Sequence, residues 1–383
     1  MVCKICGQEN CKKHSLLMPS IKKSEFSGSS PPEIFVGKWN YPNVYTGILS
    51  PESYGQNEIM SSPELWKKNN LQIQDIISMR NQLIYSRTQN NVKKKNTKFY
   101  QVFNEIAMTH KSIATEFKLK KPTSLIKHPD SRVPLISKSA PLESVKLEEN
   151  TKIKRKVDYL VNDVDIKSVP AMIELSKSIP VSNIIKLLSA GLLGLKKNRK
   201  LVPTRWSITA TDDALSKFKL EKIKTFSEIN DFQIFNSEYL GNHYEFLLLP
   251  DKYSFEVIEI STNGLGVWQD YESFFPRKKY ADSVTGAYYA NRLAITEYLE
   301  KIKKQSSCLV FREIRPEYSS PCGVGILREA SREAFTKSPE KFSNLKDALS
   351  RIQERLKLNI ENYTQKSWIL KNFRKQTKIT QFI

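Results

Sequence analysis

The sequence predicts an α+β fold in which helices are mixed with an antiparallel-rich sheet. Three runs rich in β-branched and aromatic residues are separated by Gly-Asn and Pro-Asp turn signals, which is typical of a strand meander; they lie at 232–239, 244–249 and 253–260. Apolar residues at helical spacing predict helices at 71–84, from 99 to 106 and at 283–304. Strands and helices follow one another without strict alternation, so α+β is the class that fits both observations.

The N-terminal half contains fewer regular patterns. Residues 24–32 end in Ser-Gly-Ser-Ser-Pro-Pro, a composition that indicates a linker. Residues 34–50 are aromatic and contain Gly37, Pro42 and Gly47, which predicts strands joined by a tight turn. Residues 111–156 are rich in Pro, Ser and Lys, so we expect extended segments and loops there.

Four further segments complete the predicted elements. Residues 157–165 alternate as a strand does, and 169–188 predict two short helices broken at Pro180. Cys308–Ile314 predicts a strand, and residues 341–358 predict an amphipathic helix.

Composition narrows the class of partner. Sixty-one Lys and Arg against forty Asp and Glu give a net charge of +21, and 39% of the 383 residues are hydrophobic, enough for a packed core. Such a charge concentrates polyanions, which favours a nucleic-acid partner over the alternative that the lysines serve solubility alone. No apolar run approaches the roughly 20 residues that span a bilayer. The first residues do not resemble a signal segment, so we expect a cytoplasmic, nucleoid-associated protein.

A cluster of metal-ligand types lies at the N-terminus. Cys3, Cys6, Cys11 and His14 have the spacing C-x2-C-x4-C-x2-H. Zinc takes four sulfur or nitrogen ligands in a tetrahedron, and a C-x2-C turn supplies two neighbouring corners. The spacing therefore predicts a zinc knuckle whose folding energy comes from the metal, against the alternative of free thiols beside an exposed histidine.

The last eight residues have the pattern of a PCNA-interacting motif, the segment that docks on the sliding clamp. Gln376 is followed by Ile379, Phe382 and Ile383. One helical turn would place the last three on one face, where they form an apolar plug, with Gln376 as a polar anchor. The alternative is a frayed terminal helix, but exposed Phe and Ile side chains are unfavourable unless a partner covers them.

A basic block in the middle of the chain is the best candidate for a DNA contact. Cations surround an aromatic residue there: Lys196, Lys197, Arg199, Lys200, Arg205 and Trp206. Cations neutralise phosphates and an indole stacks on a base. The alternative is a buried tryptophan beside a solvated loop. Further basic runs at 93–95, 120–121 and 277–279 could contact phosphates, but a solvated face explains each of them more simply.

Carboxylates raise the question of a metal-dependent nuclease, which would require Mg²⁺. The candidates are Asp163, Asp165, Asp212, Asp213, Glu256, Glu259, Asp270 and Glu272. Helix-capping and turn roles explain such residues more simply, and no recognised nuclease arrangement is present, so we expect structural roles.

Several segments resemble the archaeal Nre family of DNA repair proteins; they are Tyr41–Val44, Asn104–Met108, Leu188–Gly194, Arg199–Thr209, Glu238–Asn242, Gly286–Ala290 and Arg312–Ile314. The resemblance implies a role in DNA damage repair, partnership with PCNA through the terminal motif and an N-terminal metal finger. Many members have four cysteines in that finger, whereas His14 holds the fourth place here. Where the family has a Trp after Gly-Val, this chain has Gly325.

These observations predict four regions: a zinc-binding knuckle at 1–20, an Nre N-terminal-like α+β domain at 21–265, an Nre C-terminal-like domain at 266–370 and a flexible PCNA-interacting tail at 371–383. The favoured function is a repair factor that PCNA recruits and that binds DNA directly. A metal-dependent nuclease or phosphodiesterase delivered by PCNA, and a non-catalytic adaptor, are the alternatives, and the sequence does not decide whether a reaction is catalysed.

Overall fold

The computed structural model describes residues 24–93, 97–126, 130–264 and 266–373. The chain forms two compact units: unit 1 comprises Met1–Leu215 and Ser319–Ile326, and unit 2 comprises Ser216–Tyr318 and Leu327–Ile383. The four predicted zinc ligands and the terminal motif lie outside the described residues. No helix in the described part of the chain combines the length and apolar character needed to cross a membrane.

Unit 1 contains a seven-stranded mixed sheet. Its strands are β1 (Glu25–Ser30), β2 (Ile34–Val36), β3 (Asn43–Ser50), β4 (Ile84–Asn91), β5 (Ile113–Leu119), β6 (Ser124–Leu125) and β7 (Lys138–Leu147). The order is β1-β5-β7-β4-β3-β2, with β6 paired to β7. Only the β4–β7 pair is parallel among these described strands. One core cluster here is built from Leu49, Met60, Leu83, Tyr85 and Ile136.

The helices of the first part of the chain are α1 (Pro63–Lys68), α2 (Ile73–Gln82), α3 (Lys98–Met108), α4 (Arg155–Asn162), α5 (Ser168–Ser176), α6 (Val181–Ser189) and α7 (Thr204–Ile223), and each of them begins in unit 1. Short 3-10 turns occur at Glu58–Ser61 and Lys196–Asn198. The boundary between the units falls inside α7, after Leu215.

Unit 2 contains a six-stranded mixed sheet. Its strands are β8 (Phe232–Tyr239), β9 (Asn242–Leu249), β10 (Ser254–Ser261), β11 (Val267–Glu272), β12 (Ser307–Ile314) and β13 (Glu340–Phe342), in the order β11-β10-β12-β9-β8-β13. Its helices are α8 (Gly286–Ile302), α9 (Val324–Ala334), which begins in unit 1, α10 (Leu345–Gln353), α11 (Glu361–Thr364) and α12 (Trp368–Asn372). Every residue of β9 is buried, so this strand lies at the centre of the unit's core.

The α+β class is confirmed, and most predicted elements are present. The strands around the turn at 37–42, the helix pair broken at Pro180 and the strand at 308–314 match β2, β3, α5, α6 and β12. The helix expected at 283–304 corresponds to α8. The segment 111–156 holds the extended strands β5 and β7.

Two segments of unit 1 differ from the prediction. Residues 25–30, expected in a linker, form β1; Phe26 stacks on Phe117 at 4.7 Å, and a Cβ on Gly28 would collide with the Pro51 carbonyl oxygen. Residues 157–162, expected as a strand, belong to α4. Val157, Leu160 and Val161 are buried at the i, i+3, i+4 spacing that a helix requires.

Two features of unit 2 also differ. The three expected strands form, but they are not a meander, because β12 inserts between β9 and β10 and runs parallel to β10. The helix expected at 341–358 is limited to α10, since residues 340–342 pair with β8 instead.

Candidate nucleic-acid interface

Two aromatic side chains meet on the surface of unit 1. Trp206 lies in the first turn of α7, and its ring centroid is 5.4 Å from that of Tyr41 in the β2–β3 turn. The Val36 backbone N–H donates to the Thr204 hydroxyl over 2.9 Å, which holds the turn against the start of α7. Trp206 is 46% exposed and Tyr41 is 42% exposed. Both rings therefore present a face to solvent, and the alternative of a buried Trp206 does not hold.

The β2–β3 turn adds a second exposed indole. Trp39 is 73% exposed, and the Lys38 ammonium lies 4.3 Å from its ring centroid. On the neighbouring strand pair the Arg87 guanidinium lies 4.4 Å from the ring centroid of Tyr45. An aromatic ring beside a cation is the combination that contacts a base and its phosphate together. The sequence analysis did not identify the Lys38–Trp39 and Arg87–Tyr45 pairs. Trp39 and Tyr41, two large aromatic residues in one short turn, were a signal for an exposed binding surface.

Backbone hydrogen bonds bring three separate segments together at this place. The Val92 N–H donates to the Pro42 carbonyl over 2.9 Å, and the Leu201 N–H donates to the Val92 carbonyl over 3.0 Å. Lys93 follows Val92 in the sequence and Lys200 precedes Leu201, and both lysines are exposed. Lys93 and the basic block at 196–205 therefore border one surface.

We call this region the aromatic–basic surface and define it by Lys38, Trp39, Tyr41, Lys93, Lys196, Lys197, Lys200, Arg205 and Trp206. Lys196 and Lys197 are exposed in the 3-10 turn before α7. Arg205 lies 3.6 Å from Asp130 and remains partly exposed. The surface combines three exposed rings with cations from three segments, so it can stack on bases while it neutralises phosphates.

Arg199, predicted among the DNA contacts, is engaged by the protein itself. Its guanidinium donates to the carbonyl oxygens of Gly194, Val161 and Asp163 over 2.7, 2.7 and 2.8 Å. Burial lowers the pKa of this guanidinium. Each of its three nitrogens already has an acceptor, so Arg199 fixes the shape of the loop that carries Lys196, Lys197 and Lys200.

Four of the candidate carboxylates, Asp163, Glu259, Asp270 and Glu272, have structural partners. In unit 1 the Asp163 carboxylate accepts the backbone N–H groups of Asp165 and Ile166, both over 3.1 Å, and closes a turn. In unit 2 Glu259 pairs with Arg312 at 2.6 Å, and Glu272 pairs with Arg292 at 2.9 Å. Asp270 accepts the N–H groups of residues 283 and 284. These contacts match the structural roles expected from the sequence.

Glu256 holds the end of the described chain. Its buried carboxylate accepts the Ser367 hydroxyl over 2.6 Å, the N–H groups of Trp368 and Ile369 over 2.8 and 2.9 Å, and the Gln269 side-chain amide over 2.6 Å. Two of these donors are the first N–H groups of α12, so one carboxylate of β10 caps that helix and binds it to the sheet.

Unit 2 has a smaller basic patch on the segment after β11. Arg277 donates to the carbonyl oxygens of Tyr271 and Tyr280 and pairs with Asp270 at 3.0 Å, so it organises the segment. Lys278 and Lys279 are exposed beside it. Of the predicted basic run at 277–279, the two lysines are therefore the residues available to a ligand.

Comparisons with known proteins cover nearly the whole chain. The family described as Archaeal Nre, N-terminal, matches residues 2–269, and Archaeal Nre, C-terminal, matches residues 272–382. DNA repair protein NreB of Archaeoglobus fulgidus is 33% identical over 97% of this chain and 96% of its own length. DNA repair protein NreA of the same organism is 34% identical over 92% and 91%, and NreA of Haloferax volcanii is 30% identical over 91% and 87%. No solved structure matches the chain significantly.

Proposed function

Because this chain belongs to the archaeal Nre family, we propose that it is a DNA repair protein that binds DNA through the aromatic–basic surface and that the PCNA sliding clamp recruits. The observation that carries the DNA contact is the exposed Trp206–Tyr41 pair among cations. Stacking of one base on an aromatic side chain contributes about 1–3 kcal/mol, and it needs a base with a free face. The surface therefore favours unpaired or distorted DNA over an intact duplex.

Recruitment by PCNA is supported by the terminal pattern Gln376, Ile379, Phe382, Ile383. Three apolar side chains on one helical turn fit a hydrophobic pocket, and so short a turn is marginal alone in water. We therefore propose that the tail takes its helical turn on the clamp. Lys371, which is exposed in α12, adds positive charge next to the motif.

A zinc ion held by Cys3, Cys6, Cys11 and His14 completes the proposal. The support is the ligand spacing alone, since these residues are not described. Zinc would supply the folding energy of a segment too short to bury a core of its own.

The proposal is tested by titrating the full chain against a fluorescent single strand and the matching duplex, with anisotropy as the readout. We expect tighter binding to the single strand and an affinity that falls linearly with salt on logarithmic axes. Calorimetry with the purified clamp tests recruitment separately. Failure to bind either DNA at low salt would exclude the aromatic–basic surface as a DNA site, and absence of clamp binding would exclude the tail motif.

A further inference from the structure

A cavity of about 440 Å³ opens in unit 1 beside the aromatic–basic surface. Its wall is formed by the start of α5, the turn that follows α6, and the loop that contains Lys200. The turn after α6 belongs to the segment Leu188–Gly194, which the proposed DNA contact does not use. Cavities of this size hold small organic ligands.

Two glycines shape the cavity wall. Gly191 and Gly194 both have positive φ, +67° and +101°. A Cβ on Gly191 would collide with the Lys200 carbonyl oxygen, and one on Gly194 would lie 3.4 Å from the Ser168 side chain. Only glycine accepts this backbone freely, so the turn folds tightly against both neighbouring segments and bounds the open space.

The chemistry of the lining selects one kind of ligand. Leu188, Leu193, Leu195 and Val202 supply apolar wall, while Lys167 and Lys200 carry positive charge and are exposed at the opening. None of the residues that line the cavity is a carboxylate. A nucleobase with its phosphates matches this distribution, because its ring faces pack on apolar side chains, its polar edges can meet Ser168 and Asn198, and its phosphates attract the lysines.

We infer that the cavity receives a base turned out of a DNA strand that lies on the aromatic–basic surface, with Lys167 and Lys200 against the flanking phosphates. The inference rests on the proposed DNA-binding function. Lys200 belongs to both places, so a strand on the surface passes the opening of the cavity. Turning out a base costs a few kcal/mol in a duplex and least where pairing is already lost. The cavity thereby adds preference for a mispaired or damaged position.

The test uses a duplex with 2-aminopurine at one mismatched position. The emission of this base is quenched by stacking and rises when the base leaves the stack. We expect a several-fold rise when the full chain binds, and loss of that rise in Val169→Glu. Val169 is at the rim, 43% exposed, in the first turn of α5. A carboxylate there narrows the opening and repels phosphates, while it suits the N-terminus of a helix, so the fold is retained.

The matched control is Val267→Glu, which makes the same change at a valine of 45% exposure in unit 2 and keeps the parent emission. Val169→Met, which fills space without charge, serves if Val169→Glu fails to fold. The inference is overturned if the chain binds DNA by anisotropy without a change in emission. It is also overturned if both Val169 variants show the same rise in emission as the parent chain. Either result leaves the proposed DNA-binding function standing. Absence of DNA binding overturns both. Saturation of the cavity by dAMP alone, with no emission change on DNA, would make it a free-nucleotide site and also overturn the inference.

Discussion

Adjacent basic residues of one loop have different roles. Arg199 directs its guanidinium inward to three carbonyl oxygens, whereas Lys200 is exposed on the aromatic–basic surface and at the cavity opening. The planar fork of an arginine suits several carbonyl acceptors at once, and a lysine ammonium does not reproduce it. In this loop the arginine therefore sets the geometry and the lysines remain for a ligand.

Arg199→Lys should lower the free energy of unfolding by about 2 kcal/mol, because charge-assisted hydrogen bonds to buried carbonyl groups are lost. Chemical denaturation followed by circular dichroism measures this change. Lys197→Gln, at an exposed position of the same loop, is the control and should leave the midpoint unchanged. Equal midpoints for Arg199→Lys and the parent would mean that the three carbonyl contacts do not stabilise the loop.

Trp206→Ala should weaken binding to single-stranded DNA by about 1–3 kcal/mol, because one stacking face is removed. The thermal midpoint should change little, since nearly half of the indole is exposed. Phe275→Ala removes an aromatic side chain that is 77% exposed in unit 2 and serves as the control. If both variants bind DNA as the parent does, Trp206 is not a contact.

The cysteines provide a test of the zinc knuckle. Burial raises the pKa of the Cys322 thiol to about 12 and raises that of Cys308 further, so both stay protonated and unreactive at pH 8 in the folded chain. A chelator that removes the zinc should therefore make three of the five cysteines reactive toward a thiol reagent. Metal analysis should find about one zinc ion per parent chain and none in Cys6→Ser. Reaction of all three N-terminal thiols before chelation, or full zinc retention in Cys6→Ser, would contradict the assignment.

Secondary-structure elements were predictable where local pattern and packing agree. α5 and α6 follow from their apolar spacing and Pro180, whereas β1 and α4 do not follow from local pattern. β1 consists largely of small polar residues, and its strand form depends on pairing with β5, which is distant in sequence. The alternation at 157–165 is short enough to fit a strand or a helix, and burial of Leu160 with Val161 decides for the helix.

The terminal segment leads to a prediction at the same scale. Phe382→Ala should weaken clamp binding by about 2 kcal/mol or more, because aromatic plugs in desolvated pockets dominate such interfaces. Isothermal titration with purified clamp measures the change. Thr380→Ala is the matched control, since Thr380 lies between the three apolar positions and off their shared face. Unchanged affinity of Phe382→Ala would show that the contact lies elsewhere.

At the scale of the whole molecule, the candidate DNA site is formed by segments that are distant in sequence and that the fold brings together. The basic block and Trp206 were identifiable from composition, but Trp39, Tyr41 and Lys93 join them through the bonds of Val92 to Pro42 and Leu201 and of Val36 to Thr204. These bonds join residues that are distant in sequence, so no local pattern indicates them. Gly325 is a further example: a Cβ there would lie 2.5 Å from the Pro63 ring, so the space around this position is already filled.

Charge reversal tests the surface as a whole. Lys196→Glu, Lys197→Glu and Lys200→Glu together should reduce the slope of log K against log salt by up to about 3, roughly one per lost phosphate contact. The same reversal at Lys252, Lys301 and Lys346, exposed lysines of unit 2, changes the net charge equally and serves as the control. Equal slopes for the two triple variants would mean that only net charge matters.

The bonds that Glu256 accepts from α12 also set the reach of the chain's end. Phe373, the last described residue, packs against Phe232 with ring centroids 5.7 Å apart, and only two residues separate it from Gln376. An extended chain covers about 10 Å over that interval. A clamp bound at the motif would thus be held close to unit 2. So short a linker would restrict the positions that the clamp and unit 2 can take relative to each other. The buried Glu256 carboxylate would then fix the point on unit 2 from which this linker starts.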